Sequence, residues 1–339
     1  MRKLLDSSKK FFKANLHCHT KNSDGAFSPE RIKEEYKARG YSVVAYTDHE
    51  HVISNYHLRD EDFLPITAAE IAIKENSQSS TMTSGTMRAA HLSIYALDPE
   101  NTVTPCYNSV YDHFITPEAM GRVKFSGEFA REYSAKGISD IVRAMHESGF
   151  LVCYNHPGWS LESAEEYLGY EGIDFVEIFN TGSVVKGLYD DEAAFAELIR
   201  AGKRVYCTAA DDNHNRRPLD SPHSDSFGGF VMINADWLGY SEILSSLSSG
   251  NFYASTGPEI FSLESNGEEV IIECSACKKI SLLTEGRRSL AKYPEKTSRG
   301  RCRESFKIPD GALGFRIRIE DGYGARAYSQ FYYVNDITS

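Results

Sequence analysis

The sequence has no long apolar run, and no stretch approaches the roughly 18 consecutive apolar residues that a membrane-spanning helix requires. Its first residues, MRKLLDSSKKFF, turn polar after a short apolar patch, which predicts no signal peptide. Basic residues are also in deficit, because 37 Lys and Arg stand against 48 Asp and Glu for a formal net charge of −11. This balance argues against a protein that coats long nucleic acid by charge. A small anionic substrate stays open, because bound divalent cations would reverse the local sign.

Cysteine is present without the pattern of a disulfide framework. The seven cysteines are scattered, and the closest pair, Cys274 and Cys277 in CSAC, has no second pair and no histidine beside it. An odd, scattered set of thiols is typical of a reducing compartment. We therefore expect a cytoplasmic protein with free cysteines.

Residues 12–256 alternate short β-like runs with helical patterns. One helix is predicted by SPERIKEEYKARG, where Ser28 can cap the N-terminus, Pro29 suits the first turn and Gly40 ends the helix. Strands that alternate with helices predict βαβ units and a parallel sheet. About seven such units in ~250 residues favour a barrel over an open sheet.

Two segments interrupt this alternation. Residues 98–137 lack a clean period, and an excursion of this length over one face is usually functional or disordered. After residue 259 the helical patterns stop, and strand-like segments follow with a charge-rich loop at 285–304. The sequence therefore predicts an α/β domain over residues 1–259 and a small all-β, sandwich-like domain over residues 260–339.

Histidines and carboxylates recur at the ends of the strand runs. In chain order these candidates are His17, His19, Asp24, Asp48, His49, Glu70, His91, His156, Asp212 and His214. In parallel α/β barrels the ends of several strands meet around one mouth, so residues far apart in sequence come together. So many carboxylates and imidazoles would repel or titrate one another unless divalent cations were bound. The set therefore predicts a metal centre.

Each motif alone has an ordinary structural explanation. An isolated HxH, TDH or NHP is more often a surface, core or turn feature, and Asp24 in SDG suits a turn. Glu70 stands out, because it interrupts an apolar run and burying an unpaired carboxylate is costly. The recurrence of these residues at successive strand ends favours the metal centre.

Taken together and in this order, the motifs resemble those of the PHP (polymerase and histidinol phosphatase) superfamily of metal-dependent phosphoesterases. They are HCHTKNSDG, YTDH, AAEIA, HLSIYAL, NHPGW and DDNH, and they cover residues 12–256. The resemblance implies a distorted seven-stranded (β/α) barrel with two or three divalent ions at its mouth. It also implies a C-terminal β domain like that of related two-domain phosphoesterases.

The resemblance further implies a role for each position. The first metal ion would be held by His17, His19, Glu70 and Asp212. Glu70 would bridge to a second ion, which would be held by His91 and His156. A third would be held by Asp24, His49 and His214.

Two further aspartates adjoin these ligands. The D-x-H spacing of DDNH points to Asp212 as the ligand, so we expect Asp211 to face outward or to support a ligand. We expect Asp48 to orient a ligand histidine, as carboxylates beside metal sites commonly do.

The mixture of imidazole and carboxylate ligands suits Zn²⁺, Mn²⁺ or Fe²⁺ and does not separate them. We expect a metal-activated hydroxide to attack a phosphate mono- or diester, with Glu70, His156 and Asp212 acting through the ions. The best candidates for binding the phosphate are Arg216, Arg217 and Lys124.

Other functions fit the same ligands. An activated water also hydrolyses amides, and a metal-binding module without turnover could use the β domain for recognition. A nucleotide, a sugar phosphate and an oligonucleotide 5′ phosphate all fit a metal-lined mouth, whereas a long nucleic acid or a membrane is disfavoured. The oligomeric state is left open.

Overall fold

The protein has a mixed α/β fold with one large sheet. A computed structural model describes residues 1–75, 87–294 and 300–338. No helix within these ranges is both long and apolar enough to cross a membrane.

The strands of the described residues are β1 (Arg2–Leu5), β2 (Lys10–Asn15), β3 (Val43–Tyr46), β4 (Leu64–Lys74), β5 (Ala89–Ala96), β6 (Val103–Thr104), β7 (Lys124–Phe125), β8 (Phe150–Tyr154), β9 (Phe175–Asn180), β10 (Tyr206–Ala210), β11 (Phe230–Ala235), β12 (Phe252–Ser255), β13 (Ile260–Ser265), β14 (Glu269–Ser275), β15 (Lys279–Leu283), β16 (Leu290–Lys292), β17 (Arg301–Lys307), β18 (Gly314–Glu320), β19 (Arg326–Tyr328) and β20 (Tyr332–Tyr333).

The helices of the described residues are α1 (Pro29–Lys37), α2 (Pro117–Met120), α3 (Ala135–Glu147), α4 (Ala164–Tyr167), α5 (Thr181–Val184), α6 (Glu192–Arg200), α7 (Tyr240–Ser248) and α8 (Val334–Thr338). Two 3-10 helices cover Tyr56–Leu58 and Ser109–Phe114.

The large sheet mixes parallel and antiparallel pairs. Its order is β10-β9-β8-β5-β4-β3-β2-β11-β12-β19-β18-β15-β16, and β20 pairs with β18. The pairs within β2-β3-β4 and within β8-β9-β10 are parallel, whereas β5 is antiparallel to both β4 and β8. The expectation of a parallel sheet is therefore wrong for β5. Because of this reversal, the first residues of β5 lie beside the last residues of β4, and Ala72 faces His91.

Helices α1 and α3 form where the sequence pairs a capping serine with an apolar face. In α1 the Ser28 side chain accepts a hydrogen bond from the backbone of Arg31, and Ile32 and Tyr36 are buried one turn apart, which confirms the predicted helix. In α3 the buried residues Ile138, Ile141, Val142 and Met145 follow the i, i+3, i+4, i+7 spacing of an amphipathic helix. The α3 residues belong to the larger apolar core, whereas Ile32 and Tyr36 of α1 belong to a separate, smaller cluster.

The segment after residue 259 consists of strands, apart from α8. A second sheet has the order β1-β13-β14-β17, so the N-terminal strand Arg2–Leu5 pairs with this C-terminal segment. Strand β12 pairs with β11 on one side and with β19 on the other, so the large sheet is continuous past residue 259. The domain boundary at this position stays a prediction.

The prediction of a loop at 285–304 is wrong at two places, because β16 lies within this range and β17 begins in it. In β17 the side chains of Cys302 and Phe306 are buried while Arg301 and Arg303 are exposed. The charges therefore occupy outward positions of strands, which the composition alone does not distinguish from a loop. Residues 295–299 of the expected loop lie outside the described residues.

The excursion at 98–137 contains β6, β7, α2, the second 3-10 helix and the beginning of α3. It contacts the loop after β2, since the backbone of Thr116 donates to the carbonyl of Asn22. The ring of Phe114 also lies 5.0 Å from the ring of His49. The excursion therefore borders the residues that carry the candidate ligands.

Candidate metal centre

His17 and His19 follow directly after β2 and share one face of the chain. Their Nε2 atoms lie 3.2 Å apart, and both side chains are buried. Cys18, between them, points the other way into a separate apolar cluster with Tyr36. The two imidazoles are therefore held together by the alternation of an extended segment.

Glu70 lies at the middle of the site, on the fully buried strand β4. Its Oε1 atom lies 3.2 Å from Nε2 of His17, 3.3 Å from Nε2 of His156 and 3.2 Å from Nδ1 of His91. Its Oε2 atom lies 3.0 Å from Nδ1 of His49. Glu70 is only 1% exposed, so this carboxylate is surrounded by imidazoles rather than water.

Two aspartates flank this arrangement. Oδ1 of Asp212 lies 3.0 Å from Nε2 of His19 and 3.4 Å from Nε2 of His17. Asp24 belongs to the other side, where its Oδ2 atom lies 3.2 Å from Nε2 of His214 and its Oδ1 atom lies 3.8 Å from Nε2 of His49. Each carboxylate therefore faces a pair of imidazoles.

These donors form three overlapping groups whose ligand atoms lie within 4.8 Å of one another. The groups are His19, Asp24, His49 and His214; His17, Glu70 and His156; and His17, His19 and Asp212. Of the nine predicted ligands, only His91 is outside these groups, although its Nδ1 atom lies beside Glu70. Residues that are up to 197 positions apart in sequence, His17 and His214, are thus brought to one site.

Several buried polar atoms at this site lack a hydrogen-bond partner within the described structure. They are Nδ1 of His19, Oδ1 of Asp24 and Nε2 of His91. Buried polar atoms are normally satisfied, so the unsatisfied atoms of His19 and Asp24, which belong to one donor group, fit a bound cation. The donor set, imidazole and carboxylate without thiolate, suits a divalent ion of borderline hardness.

The charges of the site favour ionised carboxylates. Burial alone would raise the pKa of Glu70, but the neighbouring His17 and His91 hold it well below its usual range. The pKa of Asp212 is also held well below its usual range, because His17 and His19 outweigh the effect of burial. Both carboxylates are therefore available as ligands at neutral pH.

The pKa values of the histidines at the site shift in different directions. Burial lowers the pKa of His49, but the hydrogen bond with Glu70 overrides it and raises that pKa to about 9. Burial dominates at His91, whose pKa falls to about 4. Divalent ions would take the place of the protons that the cluster otherwise needs for charge balance.

Glu177, on β9, fixes the orientation of two candidate ligands. Its Oε1 atom lies 3.1 Å from Nδ1 of His17, and its Oε2 atom accepts a hydrogen bond from the backbone of His156 at 3.1 Å. Asn155 supports Glu70, because its Nδ2 atom donates to Oε1 at 2.8 Å. Neither residue is among the predicted ligands. A carboxylate on a buried strand was the available signal for Glu177.

The two aspartates next to ligands act on loops rather than on histidines. Asp48 accepts hydrogen bonds from the backbone of Thr20 and the side chain of Ser23, both at 2.7 Å, so the expectation that it orients a histidine is wrong. Asp211 accepts from the hydroxyl of Tyr36 and from the backbone of Phe227. Both carboxylates were better placed to satisfy nearby backbone donors than to reach an imidazole.

Two candidate ligands occupy strained backbone positions. His156 has φ +29° and Asp212 has φ +53°, both in the left-handed region that residues other than glycine rarely adopt. They lie just beyond the ends of β8 and β10. Strain of this kind costs about 1–3 kcal/mol per residue and clusters at functional sites.

The residues predicted to bind phosphate have different surroundings. Nη2 of Arg216 lies 2.7 Å from Oδ2 of Asp24, so this guanidinium is engaged with a candidate ligand. Arg217 and Lys124 are exposed.

A cation that the sequence analysis missed is Lys74, which ends β4 and whose ammonium lies over the ring of Phe114. The signal for it was its spacing of four residues from Glu70, which places both on one face of the strand.

An aromatic residue also borders the site. The ring of Trp159, which is 39% exposed, lies 4.8 Å from the ring of His91 and 4.9 Å from that of His156. It offers an apolar surface at the rim of the centre.

No protein-family model and no curated protein matches this chain. Among solved structures, it is similar to a two-domain protein from Bacteroides vulgatus described as containing a predicted PHP-like metal-dependent phosphoesterase. The identity is 14% and the TM-score 0.45, with 97% of this chain and 96% of the other covered.

Two more solved structures are similar over a part of this chain. A candidate metal-dependent phosphoesterase from Bifidobacterium adolescentis has 16% identity and a TM-score of 0.37, with 60% of this chain and 89% of the other covered. An amidohydrolase from Chromobacterium violaceum, with bound sulfate and no metal, has 13% identity and a TM-score of 0.41, with 70% and 96% covered. The names of the two phosphoesterases agree with the family that the motifs resemble. At these identities and TM-scores, the likeness carries no further argument.

Proposed function

We propose that this protein is a metal-dependent hydrolase of small phosphate mono- or diesters. The observation that carries the proposal is the set of three overlapping groups of imidazole and carboxylate donors, with Glu70 beside the imidazoles of His17, His49, His91 and His156. Bound divalent ions would supply Lewis-acid chemistry there, by lowering the pKa of water and neutralising charge on phosphoryl oxygens. Zn²⁺, Mn²⁺ and Fe²⁺ all suit this donor set, in two or three sites.

The protein's own residues prepare the ligands. Glu177 engages Nδ1 of His17, which leaves Nε2 directed toward Glu70 and Asp212. The backbone of His156 is fixed by the same glutamate. Ligands that are oriented before binding give tighter and more selective metal sites than ligands that must rearrange.

The proposed fold is a distorted seven-stranded (β/α) barrel with a PHP-like metal centre at its mouth. Contacts between the residues that follow β10, at one end of the strand order, and those that follow β2, the seventh strand along it, support it. The backbone of Asp212, after β10, donates to the carbonyl of His17, after β2, at 2.9 Å, and His19 donates to the carbonyl of Asn213 at 3.1 Å. These contacts bring residues beyond β10 beside those beyond β2, although β10 ends the hydrogen-bonded order.

We propose further that the chain works in the cytoplasm on a small phosphorylated substrate. All seven cysteines are free, including Cys274 and Cys277, whose sulfurs lie 3.9 Å apart without a bond, and this supports a reducing compartment. The net charge of −11 disfavours long nucleic acid as the substrate.

The test is a metal analysis coupled to a substrate panel. Purified protein is assayed for metal content and for turnover of phosphate monoesters, phosphate diesters and amides with added Mn²⁺. We expect stoichiometric metal and turnover of phosphate esters but not of amides. Glu70→Gln and His156→Ala should each lose at least about 100-fold in rate, since both remove a ligand. His57→Ala, which alters an exposed histidine outside the centre, should retain full activity.

Turnover confined to amides would replace the phosphoesterase by an amidohydrolase. Full metal loading without turnover of any substrate would leave a metal-binding module. Activity that survives both ligand substitutions would contradict the assignment of the centre.

A further inference from the structure

Lys74 lies on the same face of β4 as Glu70 and closer to the end of the strand. Side chains of a strand alternate, so residues 70, 72 and 74 share one face. The register supports this, because Ala72 faces His91 and Lys74 faces Ala89 on the neighbouring strand β5. The small side chain of Ala72 is the only one between the carboxylate and the lysine on that face.

The ammonium of Lys74 has no hydrogen bond or ion pair with any residue in the described parts of the chain, although the residue is only 7% exposed. Its Nζ atom lies 4.5 Å from the centre of the Phe114 ring and 5.4 Å from that of Tyr111. Ring faces attract a cation but accept none of its three N–H donors in an ordinary hydrogen bond. A buried ammonium without such acceptors is unfavourable unless an anion or water reaches it.

The nearest acidic groups are already engaged. Glu50 lies 2.7 Å from the guanidinium of Arg131 and accepts from the backbone of Ala72. Glu70 is surrounded by imidazoles. Within the described residues, no carboxylate therefore pairs with the lysine at close range.

Phe114 connects this cation to the metal centre. Its ring lies 5.0 Å from that of His49, whose Nδ1 atom lies 3.0 Å from Glu70. The ammonium of Lys74 and the imidazole of His49 therefore lie against the same aromatic ring. Arg216, by contrast, is held by Asp24.

We propose that Lys74 binds the non-bridging oxygens of a phosphoryl group and so sets the specificity of the centre for compact oxyanions. The identity of the anion rests on the proposed function. A lysine ammonium is a compact point charge with rotatable donors, which suits one tetrahedral group better than a planar carboxylate. Tyr111 and Phe114 hold it in place through their ring faces.

The test measures the binding of inorganic phosphate by calorimetry to Mn²⁺-loaded protein, so that it does not depend on turnover. Lys74→Met removes the charge but keeps an unbranched side chain, and Lys74→Gln provides a second neutral variant if the first is poorly soluble. We expect the Mn²⁺ content to be unchanged and the phosphate Kd to rise at least about tenfold. A tenfold change corresponds to about 1.4 kcal/mol.

Lys13→Met is the matched control. The Nζ atom of Lys13 also lies over two rings, 4.1 Å from that of Tyr41 and 4.3 Å from that of Phe230, without a hydrogen bond or ion pair in the described chain. It lies on β2 before the candidate ligands, so its loss should leave the phosphate Kd unchanged.

The inference is overturned if both Lys74 variants bind phosphate as tightly as the wild type, if Lys13→Met weakens binding equally, or if the Mn²⁺-loaded wild type binds no phosphate. Its failure is distinguishable from that of the proposed function. A protein that binds phosphate through Lys74 and hydrolyses no ester would overturn the function and support the role of the lysine. A phosphoesterase whose variants bind phosphate normally would do the reverse.

Discussion

His17 contributes to two of the three donor groups, so its orientation affects most of the centre. The ring is fixed at Nδ1 by Glu177, which is 1% exposed. Glu177 also accepts hydrogen bonds from the backbone N–H of His156 and from the side chain of Asn180. A carboxylate in this position keeps the proton on Nδ1 and raises the basicity of Nε2.

Glu177→Gln should therefore weaken metal binding without removing a ligand. An amide has only one accepting oxygen, so either His17 or the backbone of His156 loses its acceptor. We expect the affinity for Mn²⁺ to fall about 10–100-fold, as measured by titration of the metal-free protein. Glu162→Gln is the control, because that carboxylate is also buried but receives hydroxyls of Tyr133 and Tyr170 rather than an imidazole. Equal affinity in wild type and Glu177→Gln would show that the glutamate is only structural.

A histidine outside the metal centre makes the free energy of unfolding depend on pH. His146, in α3, lies 2.8 Å from Oδ2 of Asp174, and this hydrogen bond raises the pKa of the imidazole. Because the folded-state pKa exceeds the unfolded value of ~6.5, the stabilisation is fully present below that value. It is lost as the pH rises through the folded-state pKa.

His146→Gln should thus be more destabilised relative to wild type at pH 5.5 than at pH 9. The pair is about one third exposed, so screening limits the difference in the free energy of unfolding to less than ~1 kcal/mol. Urea denaturation at both pH values measures it, with His223→Gln as an exposed histidine control. A gap that is larger at pH 9 would contradict the sign.

At the residue scale, the sequence predicts which side chains form the site better than it predicts which side chains each of them contacts. His17, Glu70 and Asp212 could be predicted as neighbours because each follows or interrupts an apolar run, and such positions converge in α/β folds. The partner of Arg216 could not be predicted, since a charge in a sequence does not show which carboxylate it will meet. Lys74 was missed because a lysine at the end of a strand normally reaches water.

At the scale of elements, the direction of β5 determines from which end of the strand His91 reaches the metal centre. The run AAHLSIYAL predicts a strand but carries no information on its direction, and the structure makes it antiparallel to β4. His91 therefore enters the site from the beginning of its strand, whereas His156 enters from beyond the end of β8. Direction depends on the pairing of whole strands, which a single run of residues does not encode.

A buried cation is one of the attachments of the excursion at 98–137 to the main sheet. Arg131 is 4% exposed, donates to the carbonyls of Cys106 and Ala72, and lies 2.7 Å from Oε2 of Glu50. It therefore connects the excursion both to β4 and to the segment that carries His49. This element depends on its attachment more than on its own short helices and strands.

Arg131→Met should destabilise the protein by about 3–5 kcal/mol, because it leaves the buried carboxylate of Glu50 without its cation. It should also increase proteolytic cleavage within residues 98–137. Urea denaturation and limited proteolysis measure the two effects. Arg143→Met, which breaks an exposed pair with Asp140, should cost at most ~1 kcal/mol. Similar stability of the two variants would contradict this role of Arg131.

At the scale of the whole molecule, the two predicted domains share more contacts than their sequences indicate. Leu4 and Leu5 of the N-terminal strand pack in the C-terminal core cluster with Leu263 and Ile272. In the other direction, the fully buried side chain of Gln330 bonds to the backbone of Cys207. Periodicity predicted the change from alternating helices to strands near residue 259, but pairing between distant segments leaves no local signal.

A chain that ends at residue 259 should therefore not fold as the full protein does. It would expose Leu4, Leu5 and Tyr253, because most other members of their apolar cluster lie in the removed segment, and it would leave β12 without its neighbour β19. Exposed apolar surface and an unpaired strand edge favour aggregation. We expect an insoluble product or the loss of cooperative unfolding by circular dichroism. A chain that ends at Tyr333 is the control, because it removes α8, which has no buried residues, and keeps the pairing of β12 with β19. If the chain of residues 1–259 instead melted cooperatively within a few degrees of the full protein, the contacts across residue 259 would be dispensable, and the boundary predicted there would separate two independent domains.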